Sequence, residues 1–491
     1  MMFKDRDIPL KPSLPTDIDE RRAQHTAIRR RMIQGNWKED LEKSMLQHFS
    51  SARYAAIGVP DMSSNILEQI TRQLSTLYNN GVTITHREEG HDITDLVGAD
   101  GYVTRAGWAI LMQRAQQMTL ALRDCFVKVD VSPHVEGGSA SHKGLQYRIV
   151  TPDYVYCESA EDAPDVPKYY MEQRLRLHPN TGEAVWIADV MDIRDPNDPI
   201  FGMYTIESNG ALGDDVSEIF MGHPTHRGQD YPYIGKDGIP FLPLELYRAE
   251  KTGQLWNAYS GSAMLYGSLN AATLASWWLH LYRSSSWPQK YILGASLAGL
   301  GTSDQDTIAR RQTIETDPAS ILVFQSDPDQ TGQPMIGAFQ PGSDPQKMME
   351  SLAMYEYRIC TAAGLSSSVL KQSGDPRSGY SLSISREGQR EAQRMYGVIF
   401  QSYDESLMAK SAKLANRFLG TNLPEHGYRV RYTHLPKSST EQAEDRKNIL
   451  ELLGAGLLSP VEAIQRLHPD LDEEGAKQHL NKIRRERAEF M

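Results

Sequence analysis

Apolar side chains recur along this chain with two periods, the helical 3.6 and the strand period of 2, and each change of period marks an element. Residues 14–79 carry the helical period. Thr16 with Asp19 reads as a capping box, and Ile66, Ile70, Leu74 and Leu77 form an apolar stripe in a second helix placed after Asp61. A further helix is predicted from Thr104 to Arg123, presenting Trp108, Leu111, Met112 and Ala115. It runs into a stretch where Cys125, Val127, Val129 and Val131 alternate with Phe126, Lys128 and Asp130, which predicts a half-buried strand with Cys125 in the core. Residues 145–250 continue the alternation in strands at 145–150, 169–177, 184–190 and 203–206, with a hairpin turn at Pro179–Gly182. Residues 207–233 are rich in Gly, Asp and His and read as loop; the two prolines within 239–247 predict an edge strand.

The stretch from Gly261 to Gly420 is built differently. Leu274, Trp277, Trp278, Leu281 and Tyr282 stripe a helix that stops at Ser286-Trp287-Pro288. A second helix, begun by Asp344-Pro345, places Met348, Leu352, Tyr355 and Ile359 on one face. Between them, 290–293, 321–324 and 335–339 read as strands, with a helical piece near Asp304–Thr316 and a turn at Asp327–Gly332. This small α/β module is expected to protrude from a two-helix stalk. A polar loop over 366–380 leads into a proline-free run from Ser383 to Leu419, about 55 Å long as one helix. Beyond a short strand at 429–432, residues 440–491 read as charge-rich short helices, with Ser459 and Asp470 as caps. The fold class is therefore α+β.

Composition narrows the partners. Formal charge is −11, so no overall basic surface advertises tight nucleic-acid binding. Cys125, Cys157 and Cys360 lie too far apart in sequence for a disulfide framework or a CxxC metal pattern, and a reducing interior is the expected place of synthesis. The opening residues carry charges too early for a secretory signal, and no run approaches 18 apolar residues, so neither secretion nor a membrane span is expected.

A search for chemistry finds no P-loop, no HExxH, no strand-GxGxxG-helix unit and no GxSxG elbow. Ser368-Val-Leu-Lys371 matches SxxK and Lys251-Thr-Gly253 matches KTG, as in serine acyl-enzymes. Their order is reversed and no SDN lies between them, which makes both chance matches. His86 and His91 with Glu88, Glu89 and Asp92 lack a recognised ligand spacing, so no metal is expected. The adjacent pairs Glu88/Glu89 and Asp214/Asp215 sit in predicted loops, where nothing separates their acidities for acid/base work. Arg29-Arg30-Arg31 reads as a solvated helix face, and Trp277/Trp278 as helix packing rather than a base-stacking platform. The loop between the long helices carries Lys371, Gln372, Ser373 and Arg377, with Asp375 keeping its charge low. That pattern suits a weak, sequence-independent contact with a polyanion; a flexible surface connection is the plainer alternative.

The order of parts, together with the phrases Ile239-Pro-Phe-Leu-Pro-Leu-Glu-Leu-Tyr-Arg248, Trp277-Trp-Leu-His-Leu-Tyr-Arg-Ser-Ser-Ser-Trp-Pro288, Ala362-Ala-Gly-Leu365 and Ile449-Leu-Glu-Leu-Leu-Gly-Ala-Gly-Leu-Leu-Ser-Pro460, then Arg484-Arg-Glu-Arg487, resembles the portal proteins of tailed double-stranded DNA bacteriophages. The resemblance spans residues 20–490 and lies in element order and diffuse phrases. It implies a portal-like fold: a wing of mixed β-sheet and helices (1–260), stem helices at 261–287 and 344–364, a small α/β clip (288–343), a tunnel loop (365–382), a long wing helix (383–423) and an α-helical crown (424–491). It implies a homo-oligomeric ring, a dodecamer in that family, at the capsid vertex of a virion, made in the bacterial cytoplasm. The ring conducts DNA inward during packaging and outward during ejection. Implied partners are the terminase large subunit, head-completion, adaptor or tail proteins, and the major capsid and scaffolding proteins. No cofactor, metal or membrane is implied, and ATP hydrolysis belongs to the terminase. At about twelve copies the assembly would carry a charge near −130, which favours sliding of DNA over static binding. Two alternatives follow from other classes: a serine acyl-transfer hydrolase using Ser368 and Lys371, or another ring-forming head-tail adaptor, a class whose chains are usually much shorter.

Overall fold

The computed structural model describes residues 17–48, 51, 54, 58, 60–88, 91–136, 139–160, 162–207, 212–220, 231–257, 260–286, 289–293, 321–324, 335–339, 344–365, 379–433, 439–467 and 473–489. The chain opens on helices α1 (Asp17–Gln34), α2 (Lys38–His48) and α3 (Ile66–Leu74). Thr16 of the expected capping box lies outside the described residues. Ile66, Ile70 and Leu74 stripe α3 as predicted, whereas Leu77, buried too, lies in the turn after the helix ends; the helix starts after Asp61 as expected, capped by Asn65, whose Oδ1 accepts from the Glu68 N–H at 3.2 Å. Strand β1 (Val82–His86) and short helix α4 (Thr94–Val97) follow.

The single helix expected over Thr104–Arg123 is two, α5 (Tyr102–Arg105) and α6 (Trp108–Leu122). Gly107 between them has φ 66°, a left-handed step that interrupts the helical ladder and that glycine takes without penalty.

Strand β2 (Asp124–Glu136) is longer than its alternation predicts, and it corrects the expectation of a half-buried strand. Cys125, Val127 and Val129 are buried, but so are Phe126 and Lys128. The reason is a second layer. β2 pairs with β3 (Ser139–Val150), while β4 (Val155–Ser159), β5 (Pro167–Leu177), β6 (Ala184–Asp192), β7 (Ile200–Ile206) and β8 (Leu212–Asp215) form an antiparallel meander in that order. The Phe126 ring meets Tyr170 of β5 edge-on at 5.4 Å, so the face expected to be wet is covered. Within 207–233, expected to be loop, β8 and the short helix α7 (Ser217–Phe220) are ordered; 208–211 and 221–230 lie outside the described residues. The hairpin at 179–182 forms, with the Gly182 N–H donating to the His178 carbonyl at 2.8 Å. β9 (Leu244–Arg248) completes a three-stranded sheet in the order β3-β2-β9; it lies at an edge, but the strand is shorter than the expected 239–247 and both Pro240 and Pro243 fall before it, where no ladder N–H is needed.

From here the chain leaves as α8 (Ser262–Ser286), enters the strands β10 (Gln289–Leu293), β11 (Ile321–Phe324) and β12 (Met335–Phe339), and returns as α9 (Pro345–Ala362). β10 is central, parallel to β11 and antiparallel to β12. The expected helical piece near Asp304–Thr316 and the turn at Asp327–Gly332 lie outside the described residues. Helix α10 (Gly379–Phe418) runs 40 residues, about 60 Å. Then come β13 (Tyr428–Tyr432), which pairs antiparallel with β1, and the helices α11 (Ser439–Gly454), α12 (Pro460–Leu467) and α13 (Glu473–Glu489). Ser459 caps α12 as expected: its Oγ accepts from the Glu462 N–H at 3.2 Å, and the Glu462 carboxylate accepts from the Ser459 N–H at 2.8 Å. Asp470 is outside the described residues. The whole is a mixture of helices and mainly antiparallel sheets, an α+β arrangement.

Two cores hold it. In the larger, Phe400, Leu407, Met408 and Ala412 of α10 pack with Val127, Leu244 and Tyr247 from the three-stranded sheet. In the second, Met32, Trp37, Leu41 and Met45 of the first two helices pack with Leu122, Leu265 and Leu269. α8 is thus anchored at its start by the N-terminal helices.

Candidate functional site

The α8–α9 pair and the helix that follows it are the region in which the sequence placed function. α8 bears no Asp, Glu or Lys, and its single Arg falls near its end, so its whole length is available for packing. Its inner residues Leu265, Leu269, Ala272 and Ala275 are buried. Ser268, Thr273 and Ser276 turn their hydroxyls back onto carbonyls four residues earlier, which removes the cost of burying them. Ser276 Oγ also accepts from the Asp61 N–H at 2.7 Å, tying the helix to the N-terminal part.

α9 lies against α8 through a close approach at Gly267, where a Cβ would stand 2.9 Å from Cγ1 of Ile359. Asp344 caps α9 by accepting from the Gln346 and Lys347 N–H groups at 3.0 and 3.4 Å. Trp278 Nε1 donates to the Pro345 carbonyl at 3.0 Å, closing the pair at its far end. The Trp pair therefore divides. Trp278 packs, as predicted, whereas Trp277 on the next position is 41 % exposed. With it, Tyr266, Leu274 and Tyr282 of α8 and Met349, Met354 and Tyr357 of α9 face solvent, Met354 at 62 %. Side chains of this size, part in water on two adjacent helices, form an exposed apolar surface.

At the root of the pair is a cleft of about 700 Å³, walled by α8 and α9 and floored by Leu74, Arg123 and Tyr396. Arg123 has φ 77°, left-handed for a non-glycine residue. Its guanidinium is fixed by Glu250 and by donation from Nε to Ser260 Oγ at 3.1 Å. Leu365, which follows α9, is buried. Lys371, Gln372, Ser373 and Arg377, the predicted channel contacts, and Ser368 of the chance SxxK match lie outside the described residues.

The other sequence candidates separate clearly. The His86 and His91 rings do meet, at 4.6 Å, with His91 Nε2 3.2 Å from the Glu88 carboxylate. Even so, among the described residues no three His, Cys, Asp or Glu side chains are placed to hold a metal. Asp215 Oδ1 accepts from the Ser217 N–H at 2.8 Å, a turn contact. Arg29-Arg30-Arg31 corrects the expectation of a solvated face. Arg29 is 1 % exposed and donates to the carbonyls of Ser260 and Leu122 at 2.8 and 3.4 Å. Arg30 binds Asp153 at 2.8 Å and Arg31 binds both oxygens of Asp40 at 2.8 Å. The helical period placed these residues on one turn, but it does not reveal that a second layer of structure closes over them.

Two buried polar clusters escaped the sequence reading. Between the two sheets, Glu172 accepts from Arg148 Nη2 at 2.8 Å and from the Tyr170 hydroxyl at 3.0 Å, with Arg174 bridging to Asp189 and Lys128 close by. Burial alone would raise the Glu172 carboxyl; hydrogen bonds from Arg148 and the charges of Lys128 and Arg174 outweigh it and hold it at about 2. Burial pushes the Lys128 amine down to about 8. On α10, fully buried Asp404 receives three tyrosine hydroxyls: Tyr78 at 2.9 Å, Tyr247 at 2.7 Å and Tyr432 at 2.6 Å. Burial raises its carboxyl to about 7 against the pull of those donors. Only one of the two had a sequence signal: Glu172 directly follows the apolar run Tyr169-Tyr-Met171, whereas Asp404 stands beside Glu405 among Gln401, Ser402 and Ser406 and reads like a solvated helix position.

No protein-family model and no curated protein matches the chain. Among solved structures it is similar to a chain in the neck of an empty gene transfer agent particle computed with C6 symmetry, at 12 % identity and TM-score 0.42 over 82 % of this chain and 90 % of that one. It is also similar to a chain in the neck of the native particle computed with C12 symmetry, at 14 % identity and TM-score 0.37 over 82 % and 88 %. Superpositions that loose fix neither fold nor role for this chain.

Proposed function

We propose that this chain is a non-enzymatic subunit of a ring at a phage capsid vertex, a portal-type protein through which double-stranded DNA is packaged and later ejected. One observation carries the reading: α8 and α9 form an antiparallel stalk that leads into and out of a small three-stranded sheet, and both helices hold large apolar side chains in water. In a closed ring each such face meets the next copy, which removes it from water without any partner of another kind. In this reading α8 and α9 are the stem, β10–β12 belong to the clip, α10 is the long wing helix, α11–α13 form the crown, and residues 366–378 approach the DNA. The clip is the docking place for terminase and, after packaging, for head-completion or tail proteins.

The test is direct. At micromolar concentration the purified protein is expected to scatter and to appear by negative-stain microscopy as rings of about twelve copies. A compact 55.2 kDa monomer in every salt condition overturns the proposal. Deleting Gln372–Ser378 is expected to leave rings intact and to lower DNA packaging or retention; undiminished phage yield counts against a DNA role for that loop.

A further inference from the structure

The β1–β13 ribbon has two unlike faces. Inward, Val430 is buried and the chain is pinned by side chains: Tyr432 donates to Asp404 at 2.6 Å, Tyr428 to the Pro424 carbonyl at 2.8 Å, and the Val430 N–H to Glu405 at 3.3 Å. Outward, the register sets Thr83 opposite Arg431 and Thr85 opposite Arg429. All four are exposed. Unlike the arginines of α1, the guanidinium groups of Arg429 and Arg431 make no hydrogen bond, ion pair or ring contact among the described residues; only their backbones pair, in the ladder with β1. Neighbouring Arg87 is already held by Glu405 at 3.2 Å.

We propose that this outer face is a nucleic-acid contact, in which Arg429 and Arg431 each neutralise a backbone phosphate of duplex DNA and Thr83 and Thr85 offer hydroxyls beside them. The inference rests on the DNA-conduit reading and adds to it a contact site away from the predicted loop. Residues i and i+2 on a strand stand about 6.8 Å apart on the same face. Phosphates on one DNA strand recur at about 3.4 Å along the axis and, because the backbone winds around that axis, lie about twice as far apart in space, so the two guanidiniums match neighbouring phosphates. The ribbon is fixed from behind, so the backbone adds little ordering cost when the arginines engage, and what remains is the rotamer freedom of the two side chains. A protein partner is the poorer fit, because interfaces between proteins are anchored by buried aromatic or aliphatic side chains and this face offers only Thr and Arg. With no base-reading geometry, the contact is independent of sequence.

The experiment titrates full-length protein with a fluorescent 30-base-pair duplex of arbitrary sequence from 50 to 200 mM KCl, with light scattering on the same samples. Two phosphate contacts predict a log affinity against log salt slope at least about 1.8 shallower in the Arg429→Ala/Arg431→Ala variant than in wild type. The Arg429→Lys/Arg431→Lys variant, which keeps both charges, should retain the wild-type slope. An unchanged slope in the alanine variant, or no wild-type binding at 50 mM, overturns the proposal. So does an alanine variant whose slope is unchanged while its assembly is lost, which assigns the arginines to acidic groups of a second copy. Because scattering reads assembly separately, monomers that still show the slope difference keep this contact and remove the ring reading.

Discussion

Between the sheets, the cluster of Glu172, Arg148, Arg174, Asp189 and Lys128 puts charges where apolar side chains are expected; along α8 and α9, Tyr266, Leu274, Trp277 and Met354 put apolar side chains where charges are expected. Both depart from the usual partition, but they differ in what completes them. The ionic cluster is closed within the chain, since Glu172 and Asp189 face Arg148, Arg174 and Lys128. The apolar stripe stays partly in water among the described residues, Leu274 at 39 % and Met354 at 62 % exposure. A buried charge left unpaired costs several kcal/mol, so the fold must satisfy it internally. An exposed apolar stripe costs a solitary chain far less and becomes an asset once a second copy covers it. The interior is therefore finished by folding; in the proposed ring the stalk would be finished by assembly.

That contrast can be broken at several points. The largest effect is expected from Glu172→Ala, which strands Arg148, Arg174 and Lys128 without their main counter-charge; urea unfolding should show a loss of about 3–5 kcal/mol. A loss below about 1 kcal/mol would mean that water reaches the cluster and that the inside is less closed than its burial indicates.

Asp404→Asn comes next, read through pH. Because the folded Asp404 carboxyl is raised to about 7, its contribution is fully present below the ordinary carboxylate value and is lost as pH rises towards 7. Wild type should therefore lose stability relative to Asp404→Asn between about pH 4 and 7, by up to about 1.4 kcal/mol per pH unit. Glu172 titrates in the opposite sense and in a lower window, between about 2 and the ordinary glutamate value, so the two clusters are separable. A flat difference between the two proteins across that range would remove Asp404 as a titrating group.

Gly267→Ala tests the joint between the regions. A methyl 2.9 Å from Ile359 Cγ1 forces α8 and α9 apart, at about 1–3 kcal/mol, and Ile359→Ala in the same chain should recover part of it. Unchanged melting of the single variant would show that the helices have slack. The smallest effect on folding belongs to Trp277→Ser with Met354→Ser. Unfolding of the separated chain should shift by no more than about 0.5 kcal/mol while ring formation falls, a combination that a purely structural role for those side chains cannot produce.

Much of this architecture was legible in the residues. Alternation located core strands, Asp344-Pro345 opened α9 and Ser459 capped α12, because each of these signals acts within a few residues of itself; Pro240 and Pro243 marked the start of β9 rather than its interior. The errors share one cause. Phe126 and Lys128 were read as wet, and Arg29, Arg30 and Arg31 as solvated, since a local pattern reports that one face is apolar and is silent about what covers the other. Gly107, splitting one predicted helix into two, was visible as a glycine but not as a left-handed one.

The sequence by itself determined the kind and order of most elements, though not β1, β4, β8 or α7, and it marked the two helices around a small sheet and the long helix that follows, because hydrophobic period and capping are properties of neighbouring residues. Only the tertiary structure decided that Asp404 gathers tyrosines from three distant segments and that Glu172 holds cations between two sheets. It also decided that Arg429 and Arg431 share the outer face of a ribbon whose strands are separated by more than three hundred residues. Those juxtapositions depend on which surfaces pack together. No periodicity along the chain encodes that choice.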